Sequence, residues 1–575
     1  MNRRDLFKGV FATTALSYPL YKFINLLITR DSFQQLSSPK ISKTRNYIQF
    51  NFYGGPTRWC YDHLLNPYND KYYHHPMANN QISPSLSKKE KFYHQKKYKG
   101  INLPLLWHEN LLNKTPMKEL LNNALIIRGA HLQGTTGHPM SSSKTIAPSI
   151  GGLSIDGLLA DRSEKLLSSI TIGDTPVNRA FKSVSSSCIQ INGNVNNKLS
   201  YLLTPFYLEK NGHRDKEVDL VVEEVIHIIN ESQESLTLKN DLKKARQFFG
   251  DNITLFLNEY SSLVQKYDQI IKESIKHKIK GIDDHVIPTP RLPLTVKGDK
   301  SIDDLLGPYK VSNVYMLNMD LREILNKAEI SQMSENFALA EFISKYGLSS
   351  SIVFANKNEI GNMFENITHE MAYTENMIVR EFDKETNTTT LRAKSSPRKE
   401  TPRLSFDSHT TGSIINTLTC SKFFYSFSNC LNELISRLKD IKLEKGNLFE
   451  ETIIHVTSEF DRWPEENLSG SAHNEQSHVS TFYSGIIHEP IVLGNIFTGD
   501  KNSSSEAYTI GNSAPVKELK QRVHIGHISS TLSTLLRVPP IVKRAESLVE
   551  IQQGRVVSRI ERARNIEGSY ENYLG

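Results

Sequence analysis

The sequence has little of what marks several classes of protein. Four cysteines in 575 residues are too few for a disulfide scaffold, and no Cys-x-x-Cys pair or Cys/His finger spacing indicates a structural zinc module. Beyond the first thirty residues, no apolar run is long enough to cross a bilayer. We find neither a glycine-rich dinucleotide fingerprint after a strand nor a phosphate-binding loop, so we predict no nucleotide cofactor.

Charge of one sign is not in large excess either. The chain has 69 Lys and Arg against 62 Asp and Glu, a formal net charge of +7. Residues 1–30 supply +4 of this, from five basic residues and Asp5, which leaves +3 for the remainder. So small an excess does not indicate a nucleic-acid partner. A chain with 38% hydrophobic and 23% charged residues is instead typical of a soluble globular protein of several units or one elaborated unit.

The N-terminus has the pattern of an export signal. Arg3 and Arg4 precede Leu6, Phe7 and Lys8, and a moderately apolar stretch follows at residues 9–20. This resembles a twin-arginine signal, so we expect the twin-arginine export machinery as a partner and a periplasmic or exported location. A basic start before an amphipathic helix is the alternative. No clean small-x-small cleavage site follows, and apolar residues resume at 23–28, so an uncleaved signal that anchors the chain in the inner membrane stays open.

Strand-like and helix-like patterns alternate along the rest of the chain. Residues 46–53, 124–129, 351–355 and 452–457 have the apolar character of buried strands, and 333–346 is helical. Such alternation predicts an α/β fold with a mainly parallel sheet.

Two further segments are predicted to be helical. Residues 218–280 contain two apolar stripes at three-and-four spacing, which predicts a helical hairpin broken near Gly250. Residues 413–438 read as one helix, in which Cys420 and Cys430 would lie about 15 Å apart, beyond disulfide reach. Any disulfide must therefore include Cys60 or Cys188.

Polar residues cluster after two of the predicted strands. The loop at 131–143 combines two histidines with several Thr and Ser hydroxyls. Farther along, Asp407 and His409 precede the helix at 413, and Glu459 directly follows the strand at 452–457. Carboxylates and imidazoles at strand ends are the ligand types that a borderline divalent metal prefers, although a single loop histidine is often only hydrogen-bonded. The second cluster is completed by His473 and His478.

Together these features resemble an exported bacterial family called domain of unknown function 1501, and its relative numbered 1552. The resemblance includes the paired arginines, the glycines at 54 and 55, the loop with His138, the central helical segment, the boxes around Asp407 and Glu459, and a closing segment at 523–538. That family belongs to the alkaline phosphatase and sulfatase superfamily. The resemblance implies a three-layer α/β/α alkaline-phosphatase-like core with a helical-hairpin insertion, and metal-assisted hydrolysis of phosphate or sulfate esters.

The resemblance also implies a division of the chain. We expect a twin-arginine signal or signal anchor at 1–30, the first part of the α/β core at 46–210 and the helical-hairpin insertion at 215–285. The second part of the core would follow at 310–545, and a C-terminal tail at 546–575.

The chain departs from the family pattern at acidic positions. The family's Asp after the first-strand glycines is replaced by Pro56-Thr57-Arg58, and Asp62 lies too far along to be a confident substitute. The family's Gly-x-Asp-His-Gly box keeps His473 but has Ala472 in place of the acid. Fewer anionic ligands weaken the binding of a dication. A family glycine has become Asp461, either a replacement ligand or, as we favour, a new surface charge.

Two hypotheses follow from the resemblance. In the first, the protein is a metal-dependent ester hydrolase in which one or two cations, zinc, manganese, calcium or magnesium, are bound by Asp407, His409, Glu459, His473 and His478. A loop hydroxyl would attack or position the ester, with Thr135, Thr136 and Ser141 as candidates, and His138 would be a metal ligand or an acid/base group. In the second, the missing acids have abolished turnover, and the chain is a binding or assembly protein of the cell envelope.

Overall fold

The computed structural model describes most of the chain. The described residues are 43–64, 96–203, 235–279, 289–355, 369–497 and 511–568, apart from 135–136, 150–151, 164, 166, 196, 322–324, 327, 331, 401–403, 465–468 and 567. The signal pattern at 1–30 lies outside them. Among the described helices, none is long and apolar enough to cross a membrane.

An eight-stranded mixed sheet forms the centre of the fold. Its order is β8-β2-β7-β6-β1-β5-β3-β4. Strand β7 is antiparallel to both of its neighbours, and every other pair is parallel. The predicted α/β class with a mainly parallel sheet is therefore confirmed. The strands are β1 (Asn46–Phe52), β2 (Ala124–Ala130), β3 (Ile170–Gly173), β4 (Ile189–Ile191), β5 (Ser351–Ala355), β6 (Thr452–Ser458), β7 (His478–Tyr483) and β8 (Ile491–Leu493).

Helices pack against both faces of this sheet, because successive side chains of a strand point to opposite sides. From β1, Phe50 stacks on Phe337 and lies edge-on to Phe427, with ring centroids 4.7 and 5.2 Å apart. Tyr47 of the same strand belongs to the opposite apolar core, together with Ile528. The helices are α1 (His138–Lys144), α2 (Ile155–Ala160), α3 (Lys198–Leu203), α4 (Ser235–Lys276), α5 (Ile302–Leu306), α6 (Met333–Lys345), α7 (Ser413–Asp440) and α8 (Ile525–Leu536).

The long helix α4 corrects one prediction. It runs for 42 residues through Gly250, where we expected a break. Its apolar stripe is buried as predicted, at Phe256, Tyr260, Tyr267 and Ile271. The first arm of the predicted hairpin, at 218–229, lies outside the described residues.

Helix α7 confirms the helix predicted from residue 413, and it extends to Asp440. It buries Cys420 and Cys430, and all four cysteines of the chain are free.

Smaller elements surround the sheet. A two-stranded ribbon, Asp461–Pro464 with Ser471–Asn474, directly follows β6 and carries His473. The remaining strands are Lys96–Tyr98, Ile101–Leu103, Leu294–Lys297, Lys310–Val311, Val314–Met316, His369–Thr374, Ile378–Asp383, Thr388–Ala393, Arg398–Glu400, Asn495–Phe497, Ser513–Val516, Gln521–Arg522, Val549–Gln552, Arg555–Ser558 and Asn565–Ile566. Short 3-10 turns occupy Leu105–His108, Met117–Asn123, Pro176–Arg179, Gly307–Tyr309 and Glu375–Met377.

Candidate metal centre

Loops from several strands meet at one edge of the central sheet. The strands β1, β2 and β6 all end there, because they run in the same direction. After β1, the backbone turns through Gly54 and Gly55, which have φ values of +110° and +63°. A Cβ on Gly54 would lie 2.8 Å from the Cβ of Phe406, and one on Gly55 would lie 2.5 Å from the Phe460 ring. Both positions therefore need glycine, so that the loops carrying the polar residues can approach β1 closely.

Four side chains converge above this turn. One is the first residue of α1, and two come from the loop before α7. The fourth, His473, lies in the ribbon after β6, where it pairs with Arg462. One potential ligand atom from each side chain lies within 4.8 Å of the others. The four residues are His138, Asp407, His409 and His473. The metal ligands predicted at Asp407, His409 and His473 are thus brought together, with His138 beside them.

Several distances between these side chains are close to those between the ligands of one tetrahedral cation. The Nε2 atoms of His409 and His473 are 2.9 Å apart, and Nε2 of His138 is 3.3 Å from Asp407 Oδ2. The other oxygen of Asp407 lies 3.5 Å from His409 Nε2 and 3.9 Å from His473 Nε2. Four ligands about 2.1 Å from a tetrahedral zinc ion would be about 3.4 Å from one another. Three imidazoles and one carboxylate also form a donor set suited to zinc.

Glu459 lies behind His138, outside the group of four. Its side chain is fully buried, and Oε2 is 2.5 Å from the Nδ1 of His138. Because a buried carboxylate is an acceptor, His138 donates from Nδ1, and its Nε2 faces Asp407. This is the arrangement by which a carboxylate fixes the tautomer and orientation of a metal-binding histidine. The sequence suggested Glu459 as a ligand, and the structure places it against a ligand.

The charges of the group are strongly coupled. Burial opposes protonation of His138, but hydrogen bonds to Asp407 and Glu459 raise its pKa to about 9. Burial likewise opposes ionisation of Asp407, yet the hydrogen bonds from His138 and His473 and the charge of Arg462 hold the Asp407 pKa well below its usual range. Burial and the nearby Arg462 charge lower the pKa of His409. Without a cation, the His138 ring is therefore protonated on both nitrogens and donates one hydrogen bond to each of the two carboxylates.

Arg462 supports the group from beneath. Its guanidinium is buried and donates to Asp407 Oδ1 at 2.7 Å and to the carbonyl oxygen of Gly55 at 2.7 Å. This fixes the Asp407 carboxylate relative to the glycine turn. It also places a positive charge next to the only carboxylate among the four residues, which weakens the attraction of that carboxylate for a cation.

Of the predicted hydroxyl nucleophiles, only Ser141 lies among the described residues, and it is not one of the four converging residues. Ser141 lies in α1 and is buried, and among the described residues its Oγ has no hydrogen-bond partner. Thr135 and Thr136 lie outside the described residues.

The His478 side chain, a predicted metal ligand, is fully buried. Its Nδ1 donates to the backbone oxygen of Glu459 at 3.2 Å, and its Nε2 is 3.0 Å from Ser480 Oγ. Burial lowers the His478 pKa to about 4, so the ring is neutral. It is not one of the four converging residues, and it supports the backbone from which Glu459 projects.

Two other acids occupy a buried polar layer below the group. Asp461 is fully buried, accepts from the backbone N–H of Arg58 at 3.2 Å and contacts His63. The expectation that Asp461 is a surface charge is therefore wrong. Asp62 pairs with Arg58 and accepts from the hydroxyl of Thr481 at 2.6 Å. Neither acid belongs to the four-residue group.

Tyr53 was not singled out in the sequence. It precedes the glycine turn, and its ring centroid lies 5.6 Å from that of His138. Burial and the charges of Glu459 and Asp407 raise its pKa. Its position at a strand end, directly before two glycines, was the signal that could have identified it.

Comparison with known protein families, curated proteins and solved structures finds no match to this chain.

Proposed function

We propose that the protein is a metal-dependent hydrolase that acts on phosphate or sulfate esters. The observation that carries this proposal is the convergence of three imidazoles and one carboxylate within 4.8 Å at the edge of a mainly parallel sheet. This edge is where α/β proteins place their sites. A bound cation would polarise the ester and stabilise the leaving oxygen. We further infer an alkaline-phosphatase-like core and an exported, periplasmic protein, on the family resemblance and the signal pattern.

We propose a separate role for each residue around such a site. We assign the cation to the group of four, with Glu459 fixing the Nδ1–H tautomer of His138 and Arg462 orienting Asp407. Tyr53 lies beside His138, with the two ring centroids 5.6 Å apart. A hydroxyl from the loop at 131–143 is proposed to attack or position the ester. The donor set of three imidazoles and one carboxylate favours zinc over calcium and magnesium, which prefer oxygen ligands.

Metal content tests this proposal directly. Protein purified from the exported fraction is analysed for zinc, manganese, calcium and magnesium, alongside the Asp407→Ala and His409→Ala variants. A stoichiometric metal in the wild type, lost in both variants, supports the site and makes phosphate and sulfate esters the first substrates to screen. A folded wild-type protein that takes up no metal, and hydrolyses no ester with any of the four ions added, overturns the proposal.

A second function is favoured by the charge balance of the same group. It has one carboxylate, and the buried guanidinium of Arg462 lies against that carboxylate. A scaffold that has lost turnover and serves as a binding or assembly protein of the cell envelope is therefore our alternative. Metal-free, inactive protein that co-purifies stably with an envelope partner supports this alternative, and ester turnover excludes it.

A further inference from the structure

A cavity of about 1010 Å³ lies at the start of the loop that leads from β2 to His138. None of its lining residues belongs to the metal centre. Four cationic side chains line it, against a single carboxylate among the described residues, Glu561. Four positive charges minus one negative charge leave a formal charge of +3. The cationic residues are Lys517, Lys520, Arg522 and Arg564.

A small four-stranded sheet gathers these cations. Strand Ser513–Val516 pairs with Gln521–Arg522, in the register Pro515 with Arg522, so that Lys517 and Lys520 lie in the exposed turn between them. Strand Asn495–Phe497 joins the other edge of Ser513–Val516 and pairs in parallel with Asn565–Ile566. Arg564 directly precedes that last strand. Backbone pairing therefore holds the cations on one surface.

The four cations differ in how the described residues engage them. Arg564 engages the one lining carboxylate, Glu561. Arg522 donates to the neutral amide oxygen of Gln476 at 3.1 Å, which orients its guanidinium. Among the described residues, Lys517 and Lys520 make no ion pair. Their ammonium groups are therefore ready to meet an anionic ligand.

Two neutral histidines add hydrogen-bond donors to the same wall. His131 and His524 pair through their backbones. The Nδ1 of His131 accepts from the N–H of Gln133 at 2.8 Å, and that of His524 accepts from the N–H of Gly526 at 3.1 Å. Burial lowers the pKa of both rings, that of His131 to about 4, so each is neutral and carries its hydrogen on Nε2.

One side-chain acceptor in the wall, that of Asn495, is already engaged. The side-chain oxygen of Asn495 accepts from the N–H of Arg564 at 2.8 Å, and its amide group donates to the carbonyl oxygen of Pro515 at 2.8 Å. The polar groups that the cavity offers are therefore mainly donors and cations. Such a surface recognises oxyanions, because its cations and N–H groups donate charge-assisted or neutral hydrogen bonds to acceptors.

We propose that this cavity binds a ligand with more than one phosphate or sulfate group, with Lys517, Lys520 and Arg522 as its main contacts. The volume exceeds what one inorganic oxyanion fills, which favours a multiply charged ligand. The proposal does not depend on a cation at His138, so metal-free protein binds as well as metal-loaded protein.

Isothermal titration calorimetry of the full chain at fixed low ionic strength tests this site. The probes are tripolyphosphate and a sulfated heparin disaccharide, which distinguish a phosphate source from a sulfate source. The test variant is Lys517→Glu with Lys520→Glu. The control is Lys384→Glu with Lys394→Glu, two exposed lysines outside the cavity lining, which changes the net charge by the same four units.

We expect at least tenfold weaker binding of one or both probes in the test variant and less than a threefold change in the control. Equal weakening in both variants would mean that net charge alone attracts the probes, and would overturn the site. Failure of both probes to bind the wild type at millimolar concentration would overturn it as well. Thermal unfolding of each variant checks the fold, and Lys517→Gln with Lys520→Gln, expected to weaken binding about threefold, replaces the test variant if it does not fold.

Discussion

The Nδ1 of His138 lies 2.5 Å from a carboxylate oxygen of Glu459, although the two residues are 321 positions apart in the sequence. Glu459 is fully buried, while His138 is 18% exposed and belongs to the group of four converging residues. The contact therefore connects the interior of the sheet to the candidate metal centre, and it determines which nitrogen of His138 is offered to a cation.

Glu459→Gln should weaken zinc binding about 10- to 100-fold, because the amide keeps the shape of the acceptor but removes the charge that makes His138 a stronger ligand. Competition with a chromophoric zinc chelator measures the affinity. Glu489→Gln, at an exposed carboxylate outside the group, is the matched control and should leave the affinity unchanged. Equal affinities in wild type and Glu459→Gln would show that the carboxylate does not act through His138.

Stability of the metal-free protein should fall as the pH rises toward 9. The folded-state pKa of His138, about 9, is above its ordinary value of 6.5. The stabilisation from its proton is therefore fully present below about pH 6.5 and is lost as the pH rises through 9, a loss on the order of 3 kcal/mol. Urea unfolding at pH 6.5 and 9.5 in the presence of a chelator measures this. His138→Gln should show a smaller decrease, and an unchanged decrease in that variant would assign the effect to other groups.

Zinc should stabilise the folded protein through the group of four residues. A ligand at 100 times its Kd adds about 2.7 kcal/mol to the free energy of unfolding. Thermal unfolding with and without zinc shows this as a higher Tm. His409→Ala should fold normally, because the side chain is 46% exposed, and should lose the zinc-dependent increase. An equal increase in His409→Ala would place the bound zinc elsewhere.

The sequence predicted the parts of the site that depend on local pattern. Short apolar runs followed by polar residues marked β1, β2 and β6, and parallel strands necessarily bring their carboxyl ends to one edge. Asp407, His409 and His473 were expected at one site from their polar cluster and the family resemblance, and the structure brings them together. Whether they bind a metal stays a prediction.

The sequence could not assign the residues whose role depends on which way a side chain faces. Glu459 follows a strand end, where a side chain can face the cleft or the interior. Its partner His138 is 321 positions away in the sequence, so local pattern could not show which way Glu459 faces. Asp461 looked like a surface charge because its partners, Arg58 and His63, lie some 400 positions away. Helix α4 continues through Gly250, since a glycine in a helix costs only about 1 kcal/mol and packing along the helix offsets that cost.

In the glycine turn after β1, the cost of an alanine side chain has two sources, crowding by neighbouring atoms and strain of the left-handed backbone. Gly55 and Gly347 have nearly equal φ values, +63° and +61°, so alanine at either position costs about 1 kcal/mol for the left-handed backbone. A Cβ on Gly347 meets nothing within 4 Å, whereas one on Gly55 would lie 2.5 Å from the Phe460 ring. Crowding of this kind costs a further 1 to 3 kcal/mol or so.

The displaced Phe460 ring would also press on the metal centre, since its centroid lies 4.2 Å from that of His473. Gly55→Ala should therefore lower the free energy of unfolding by about 2 to 4 kcal/mol and weaken zinc binding at least tenfold. Gly347→Ala should lower stability by only about 1 kcal/mol, with unchanged zinc affinity. Urea unfolding and chelator competition on both variants provide the comparison. If the two alanines have the same effect on zinc binding, the turn does not hold the metal centre in place, and its glycines serve only the backbone.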